Sequence, residues 1–222
     1  MVTSITTELL RKISERYPLV EKELGERKRV KVKGMTFEIR AFEAEGLGNV
    51  SVMAGSAMLG LMKMDTLVVN PFDRDMALFS YDRIYAMGND TLLLEMYDTR
   101  ISKPEITAMN PILEKYAAYP DGEAVSQWYD DIKISCVKKK SKKVDSNAFD
   151  AFTNEYLETY LNLCDDASPV DTATKKKAAQ VYTEGLLKNG GPSTDQFVAA
   201  KGREYTEKLF REVIFGTGTP NT

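Results

Sequence analysis

Residues 71–99, PFDRDMALFSYDRIYAMGNDTLLLEMYDT, leave few folds open. Two apolar runs, 76–87 and 91–98, flank the tight-turn composition Met87–Gly88–Asn89–Asp90, the pattern of a long β-hairpin. Alternate residues of a strand share a face, so Leu78, Ser80, Asp82, Ile84 and Ala86 point one way. In the second run Leu92, Leu94 and Met96 point opposite to Leu93. A hairpin apolar on both faces belongs in a sheet that is covered on both faces.

The rest of the chain supplies the sheet and its covers. Ser4 caps a first helix through Ile5, Leu9, Leu10 and Ile13, which kinks or restarts at Pro18 and ends at Gly25. Residues 29–33 and 35–43 read as strand, turn at Gly34, and strand, with Met35, Phe37, Ile39 and Ala41 alternating with polar residues. NVSVMA and MKMDTLVV, within 49–69, are two more strands.

Beyond residue 100 the period turns helical, with 106–116 and 123–130 as short helices and 132–137 as a last strand. Phe149, Phe152, Tyr156, Tyr160 and Leu163 share one helix face, 172–188 forms another helix, and Gly185 with 189–192 makes a turn. Ser193–Thr194–Asp195 then caps a final helix carrying Phe197, Tyr205, Leu209 and Val213, and GTGTPNT reads as a frayed tail. With no linker or repeat, the expectation is one domain over 1–222, its sheet mainly in 29–99 and its C-terminal helices in 146–215. The class is α/β (α+β): a three-layer α/β/α sandwich about a central, mainly antiparallel sheet.

The chain has no histidine, which removes imidazole general bases, Ser-His-Asp triads and histidine haem ligands. Two cysteines make neither a disulfide framework nor a structural zinc site. Acid–base chemistry falls to Asp, Glu, Tyr, Lys or Cys. The reducing cytoplasm is the expected location, with no signal peptide and no membrane span. A net charge of −3 gives no reason to expect nucleic acid as a partner. Three basic runs stand out: Arg27–Lys28–Arg29 with Lys31 and Lys33; Lys138 to Lys140 with Lys142 and Lys143; and Lys175 to Lys177. Their ordinary reading is solvated surface, and their functional reading is a dock for an acidic protein or for ligand carboxylates.

Asp82 is the candidate acid, because a carboxylate on a largely apolar face needs a partner, a ligand or a proton. With a three-residue turn, Asp82 faces Met96 and shares its face with Asp98, making an acid pair with separated pKa values. A two-residue turn puts Asp98 on the other face. The ordinary alternative for Asp82 is an ion pair with an arginine or lysine.

Asn70–Pro71 followed by Ala77–Leu78–Phe79–Ser80–Tyr81–Asp82 resembles the ferredoxin-dependent bilin reductases, in which a proline, a Leu-Pro-Leu-Phe-Gly type run and an aspartate come in this order. The helix of residues 149–164, then Gly202–Arg203–Glu204–Tyr205–Thr206–Glu207–Lys208 and Val213–Ile214–Phe215, resembles the end of the same family. The red chlorophyll catabolite reductases share its fold. The resemblance spans roughly 30–100 and 146–216. It implies an α/β/α sandwich holding a linear tetrapyrrole between sheet and C-terminal helices. No cofactor is bound; external ferredoxin gives electrons one at a time, and side-chain acids give protons. On this reading the chain is a monomeric oxidoreductase. Asp82 matches the family's sheet aspartate, Asp98 is a possible second acid, and Lys63, Asp65, Arg100 and Lys188 are candidate substrate-binding residues. Two family positions differ: a strand histidine gives way to Asp65 and Thr66, and an aspartate before the last helix gives way to the region of Gly191. The alternative is a non-catalytic protein of the same fold that binds a tetrapyrrole or another small apolar acid.

Overall fold

A computed structural model describes residues 4–123, 126–142 and 146–218. Its centre is an eight-stranded sheet in which every pairing is antiparallel. The strands are β1 (Leu19–Glu21), β2 (Arg29–Val32), β3 (Met35–Ala44), β4 (Gly48–Ala57), β5 (Met62–Pro71), β6 (Leu78–Ala86), β7 (Asn89–Tyr97) and β8 (Lys133–Ser141). From β3 to β8 spatial order follows chain order, and β1 and β2 share the outer edge of β3. The helices are α1 (Ser4–Ser14), α2 (Asn110–Lys115), α3 (Ser146–Asp166), α4 (Thr172–Asn189), α5 (Pro192–Lys201) and α6 (Arg203–Lys208), followed by a π-helical turn, Leu209–Ile214.

The expected sandwich is present. On one face α1 and α3 pack Leu9, Ile13, Phe152 and Tyr160 onto Leu67, Phe79, Tyr81 and Leu94. On the other, α4, α5 and the π turn pack Tyr182, Phe197, Phe210 and Ile214 onto Phe37, Ile39, Val68 and Tyr97. Each apolar cluster is one side of the same strands, as alternation requires.

The β6–β7 hairpin fixes the register that matters. Ala86 pairs with Asn89 across the two-residue turn Met87–Gly88, whose φ values of 49° and 78° are those of a type I′ hairpin turn. Asp82 therefore faces Leu93, and the three-residue alternative with Met96 is not formed. The polar sheet residues Asn49, Ser51 and Asn70 clamp the π turn: their side chains donate to the carbonyls of Val213, Ile214 and Phe215 at 2.8–3.2 Å. These carbonyls end a helix and have no partner further along it.

Several boundaries differ from the sequence reading. The first helix ends at Ser14, and Leu19–Glu21 forms an edge strand instead of a helix continuing to Gly25. The Ser4 side chain, the expected cap, lies outside the described residues. Residues 106–116 form a 3₁₀ turn and the short α2; residues 126–129 are irregular, and 124–125 lie outside the description. Gly185 sits inside α4, and Pro192 opens α5 ahead of the expected Ser193 cap. The final helix breaks at Gly202, where φ is 85°. The tail is docked through Gly218: Thr217 is buried, and Gly218 N–H donates to the Arg211 carbonyl at 3.0 Å. No described helix is long and apolar enough to cross a membrane.

Candidate functional site

Two rungs of the sheet build the site floor. Thr66, Asp82 and Leu93 lie side by side on β5, β6 and β7, and one rung along lie Val68, Ser80, Glu95 and Cys136. Paired residues in a ladder point to the same face, so this set looks toward α4 and the π turn. Between them lies a cavity of about 190 Å³, roofed by Tyr182, Leu186, Gly191, Thr194, Phe210 and Phe215. Strands β4 to β7 and the C-terminal helices must all be in place before it exists.

Asp82 is partly buried and its remaining exposure is toward this cavity. Its Oδ1 accepts from the Thr66 hydroxyl at 2.6 Å, and Ser80 Oγ lies 3.4 Å from Oδ2. Burial pushes the carboxyl up to about 6; the Thr66 hydroxyl opposes that rise and the nearby Glu95 charge adds to it. No cation pairs with Asp82 among the described residues, so the ion-pair reading does not apply.

Glu95 is the second acid of the cavity. Its carboxylate accepts from the Tyr97 hydroxyl at 2.6 Å and pairs with Lys133 at 2.7 Å. Tyr97 stacks on Tyr182 with centroids 4.2 Å apart, and Tyr129 meets both edge-on. Burial raises all three phenols, Tyr129 to about 12 and the other two well above the ordinary tyrosine value, so the hydroxyls keep their protons. The inner cavity shares Leu93, Glu95, Tyr129 and Pro192 with an open outer cleft of about 840 Å³, which Lys133, Lys138 and Cys136 also line.

The other expected site residues lie elsewhere. Asp98 follows β7 and is held by Arg100 at 2.8 Å, which lowers its pKa; the two-residue turn removes it from Asp82's face. Arg100 is occupied by that pair and by the Pro104 carbonyl at 2.6 Å. Asp65 and Lys63 alternate with Met64 and Thr66, and so point to the opposite face of β5. Lys188 is exposed near the end of α4, outside the cavity lining. Gly191 does border the cavity, and the nearby Asp195 is exposed and is not part of the lining.

The basic runs are not uniform surfaces either. Lys175 is fully buried and donates to the Met76 and Thr99 carbonyls. Lys139 is buried against Asp121 and the Tyr119 carbonyl, and Lys143 lies outside the described residues. Cys136 and Cys164 are free and lie on opposite faces of the sheet. Glu95 was missed, although TLLLEMY carries the same signal as Asp82: one acid inside an apolar strand.

No family model matches the chain, and no curated protein matches it. Among solved structures it is similar to the crystal structure of selenomethionine-labelled phytochromobilin synthase from tomato in complex with biliverdin, with a TM-score of 0.77 at 13% identity, covering 96% of this chain and 82% of that one. The two share a fold across nearly the whole of this chain.

Proposed function

We propose that this chain binds a linear tetrapyrrole in the Asp82 cavity and reduces it, with ferredoxin supplying the electrons and Asp82 a proton. The observation that carries this reading is a carboxyl group with no cationic partner among the described residues, raised to about 6, on the floor of an aromatic cavity between sheet and C-terminal helices. A solved protein of the same fold was crystallised with biliverdin, which supports the ligand class.

Size and charge fit the ligand when both compartments are used. Small-molecule sites typically have ~300–1,000 Å³, and the inner cavity alone, at about 190 Å³, falls short. Joined to the outer cleft, the site reaches that range; Lys138 lines the cleft where a propionate can meet it, and Lys133 would have to share its charge with Glu95 and Asp130. In the inner part Tyr97, Tyr182 and Phe215 offer apolar and aromatic surface to the conjugated chain. Closing the site over a ligand expels water, which favours the neutral form of Asp82 further. A neutral carboxylic acid donates a hydrogen bond to the ligand and gives up its proton as the conjugated system accepts electrons. Glu95, one rung away, disfavours the Asp82 anion by like charge.

The test is a titration of purified protein with biliverdin, followed by reduced ferredoxin under anaerobic conditions, monitored in the visible. The reading predicts a saturable spectral change at micromolar protein, then loss of the bound-biliverdin spectrum. Saturable binding without reduction favours a carrier of the same fold, and absence of binding rules out this ligand class.

A further inference from the structure

The turns at one end of the sheet carry a separate feature. The β2–β3 turn at Lys33, the β4–β5 connection 58–61, the β6–β7 turn at Met87 and the end of β8 at Ser141 lie in a row, as the register shows: Thr36 pairs with Ser56, Met62 with Ala86, and Asp90 with Ser141. Of the nine large apolar side chains most exposed among the described residues, five are here: Met58, Leu59, Leu61, Ile84 and Met87. Leu59 is fully solvent-exposed, and Met87 is 79% exposed. Met58, Leu59 and Met87 also adopt left-handed backbone, with φ of 51°, 55° and 49°, a conformation unfavourable for side chains of this kind. The type I′ turn accounts for the backbone at Met87, but not for a large apolar side chain left exposed there.

The charges are arranged around these tips. Lys33 is exposed on one side, Lys140 and Lys142 on the other, and Lys63 beside the apolar centre. Among the acids of the neighbouring rungs, Asp65 and Asp90 are buried, Glu38 is half-buried, and the exposed Asp121 is paired with Lys139 at 2.7 Å. An apolar centre collared by lysines is complementary to an interface whose interior is hydrocarbon and whose headgroups are anionic. Leu59 and Met87 stand out from turn tips with little packed against them, which suits entry among lipid headgroups.

We propose that this end of the sheet is a peripheral docking surface for anionic membranes, with Leu59, Leu61 and Met87 entering the headgroup region and Lys33, Lys63, Lys140 and Lys142 meeting the lipid charge. It goes beyond the function proposed above and stands without it. Ile84 and Met64 line the cavity on strands that lead to these tips, so docking would bring the site's apolar wall near the bilayer.

Vesicle sedimentation tests the proposal. Full-length protein is mixed with vesicles of phosphatidylcholine alone, or of two parts phosphatidylcholine to one of phosphatidylserine. Sedimentation with the anionic vesicles only, weakened by salt, is expected. Each lysine replaced by serine, among Lys63, Lys140 and Lys142, should weaken binding about fivefold. Leu59→Asn combined with Met87→Asn should weaken it about tenfold or more. Asparagine tolerates left-handed backbone, so the melting temperature should hold, which separates lost docking from lost fold. Absence of binding to anionic vesicles, or binding unchanged in these variants, overturns the proposal. So does capture of ferredoxin by this surface with no vesicle binding, which would assign the tips to a protein partner.

Discussion

Asp82 and Arg83 are neighbours on one strand and live in opposite worlds. Arg83 points toward α3, where its guanidinium grips Asp90 through two bonds of 2.8 and 2.6 Å, reaches Asp150 at 2.6 Å, and lies over the Phe149 ring. Asp82 points the other way, into a cavity, where the hydroxyls of Thr66 and Ser80 are its hydrogen-bond partners. Arg83 is held as a charge by its paired carboxylates; Asp82 is pushed toward its neutral form by burial, with no cation paired to it among the described residues. The same alternation that makes both faces apolar thus separates a structural ion pair from a candidate proton donor by a single residue.

Substitutions at the two positions should separate these roles. Arg83→Met leaves Asp90, only 1% exposed, as a buried charge without its partner. It should cost roughly 3–5 kcal/mol in urea unfolding, with both faces lost in one transition. A cost below about 1 kcal/mol would show that the pair is not structural. Asp82→Asn should leave ligand affinity within about tenfold, since hydrogen bonding is partly retained. It should lower turnover ~10²-fold or more, the usual scale for a general acid. Wild-type turnover in that variant removes Asp82 as the donor.

Smaller effects probe the roof and the floor of the cavity. A Cβ on Gly185 would sit 2.1 Å from the Trp128 ring, which closes over α4 with its indole N–H on the Gly190 carbonyl at 2.9 Å. Gly185→Ala should displace the ring at a cost of about 1–3 kcal/mol, and as the chain has one tryptophan its fluorescence reports this directly. An unchanged spectrum would mean that Trp128 does not rest on α4. Thr66→Val removes the 2.6 Å hydroxyl that stabilises the Asp82 anion. It should cost only about 1 kcal/mol and should move the alkaline limb of the activity profile upward. A downward movement would mean that Thr66 does not favour the anion.

The two faces were not equally legible in the sequence. The sandwich followed from apolar residues on both sides of the hairpin, and Asp82 from an acid among Leu78, Ile84 and Ala86. Its partners depended on one turn. Met87–Gly88–Asn89–Asp90 fits two or three loop residues, and the choice decides whether Asp98 or Glu95 stands beside Asp82. Lys175 shows a different limit. As text, Lys175 to Lys177 is a surface run, yet Lys175, Ala179, Tyr182 and Leu186 follow helical spacing and form the buried side of α4. Burial lowers Lys175 to about 8, and three oxygens accept from its amine. The outer cleft was not readable at all, because it joins β7, β8, residues 121–122 and residues 126–130 only after folding.

The central claim is that the fold holds Asp82 closer to neutral than water would, and the pH dependence of stability tests it most directly. An acid raised from its ordinary 3.8 to about 6 binds more protons folded than unfolded between those values. Wild-type stability should therefore fall, relative to Asp82→Asn, as pH rises from about 4 to about 6, and stay lower above that. The two-unit shift sets the difference at up to ~3 kcal/mol by pH 7, in favour of the variant. Urea unfolding of both proteins at pH 4 and pH 7 measures it, with the other titrating groups cancelling. A gap in favour of Asp82→Asn that opens between these pH values is the predicted result. A gap that does not change with pH, or one that opens in favour of the wild type, would show that Asp82 is held as an anion and contradict the account.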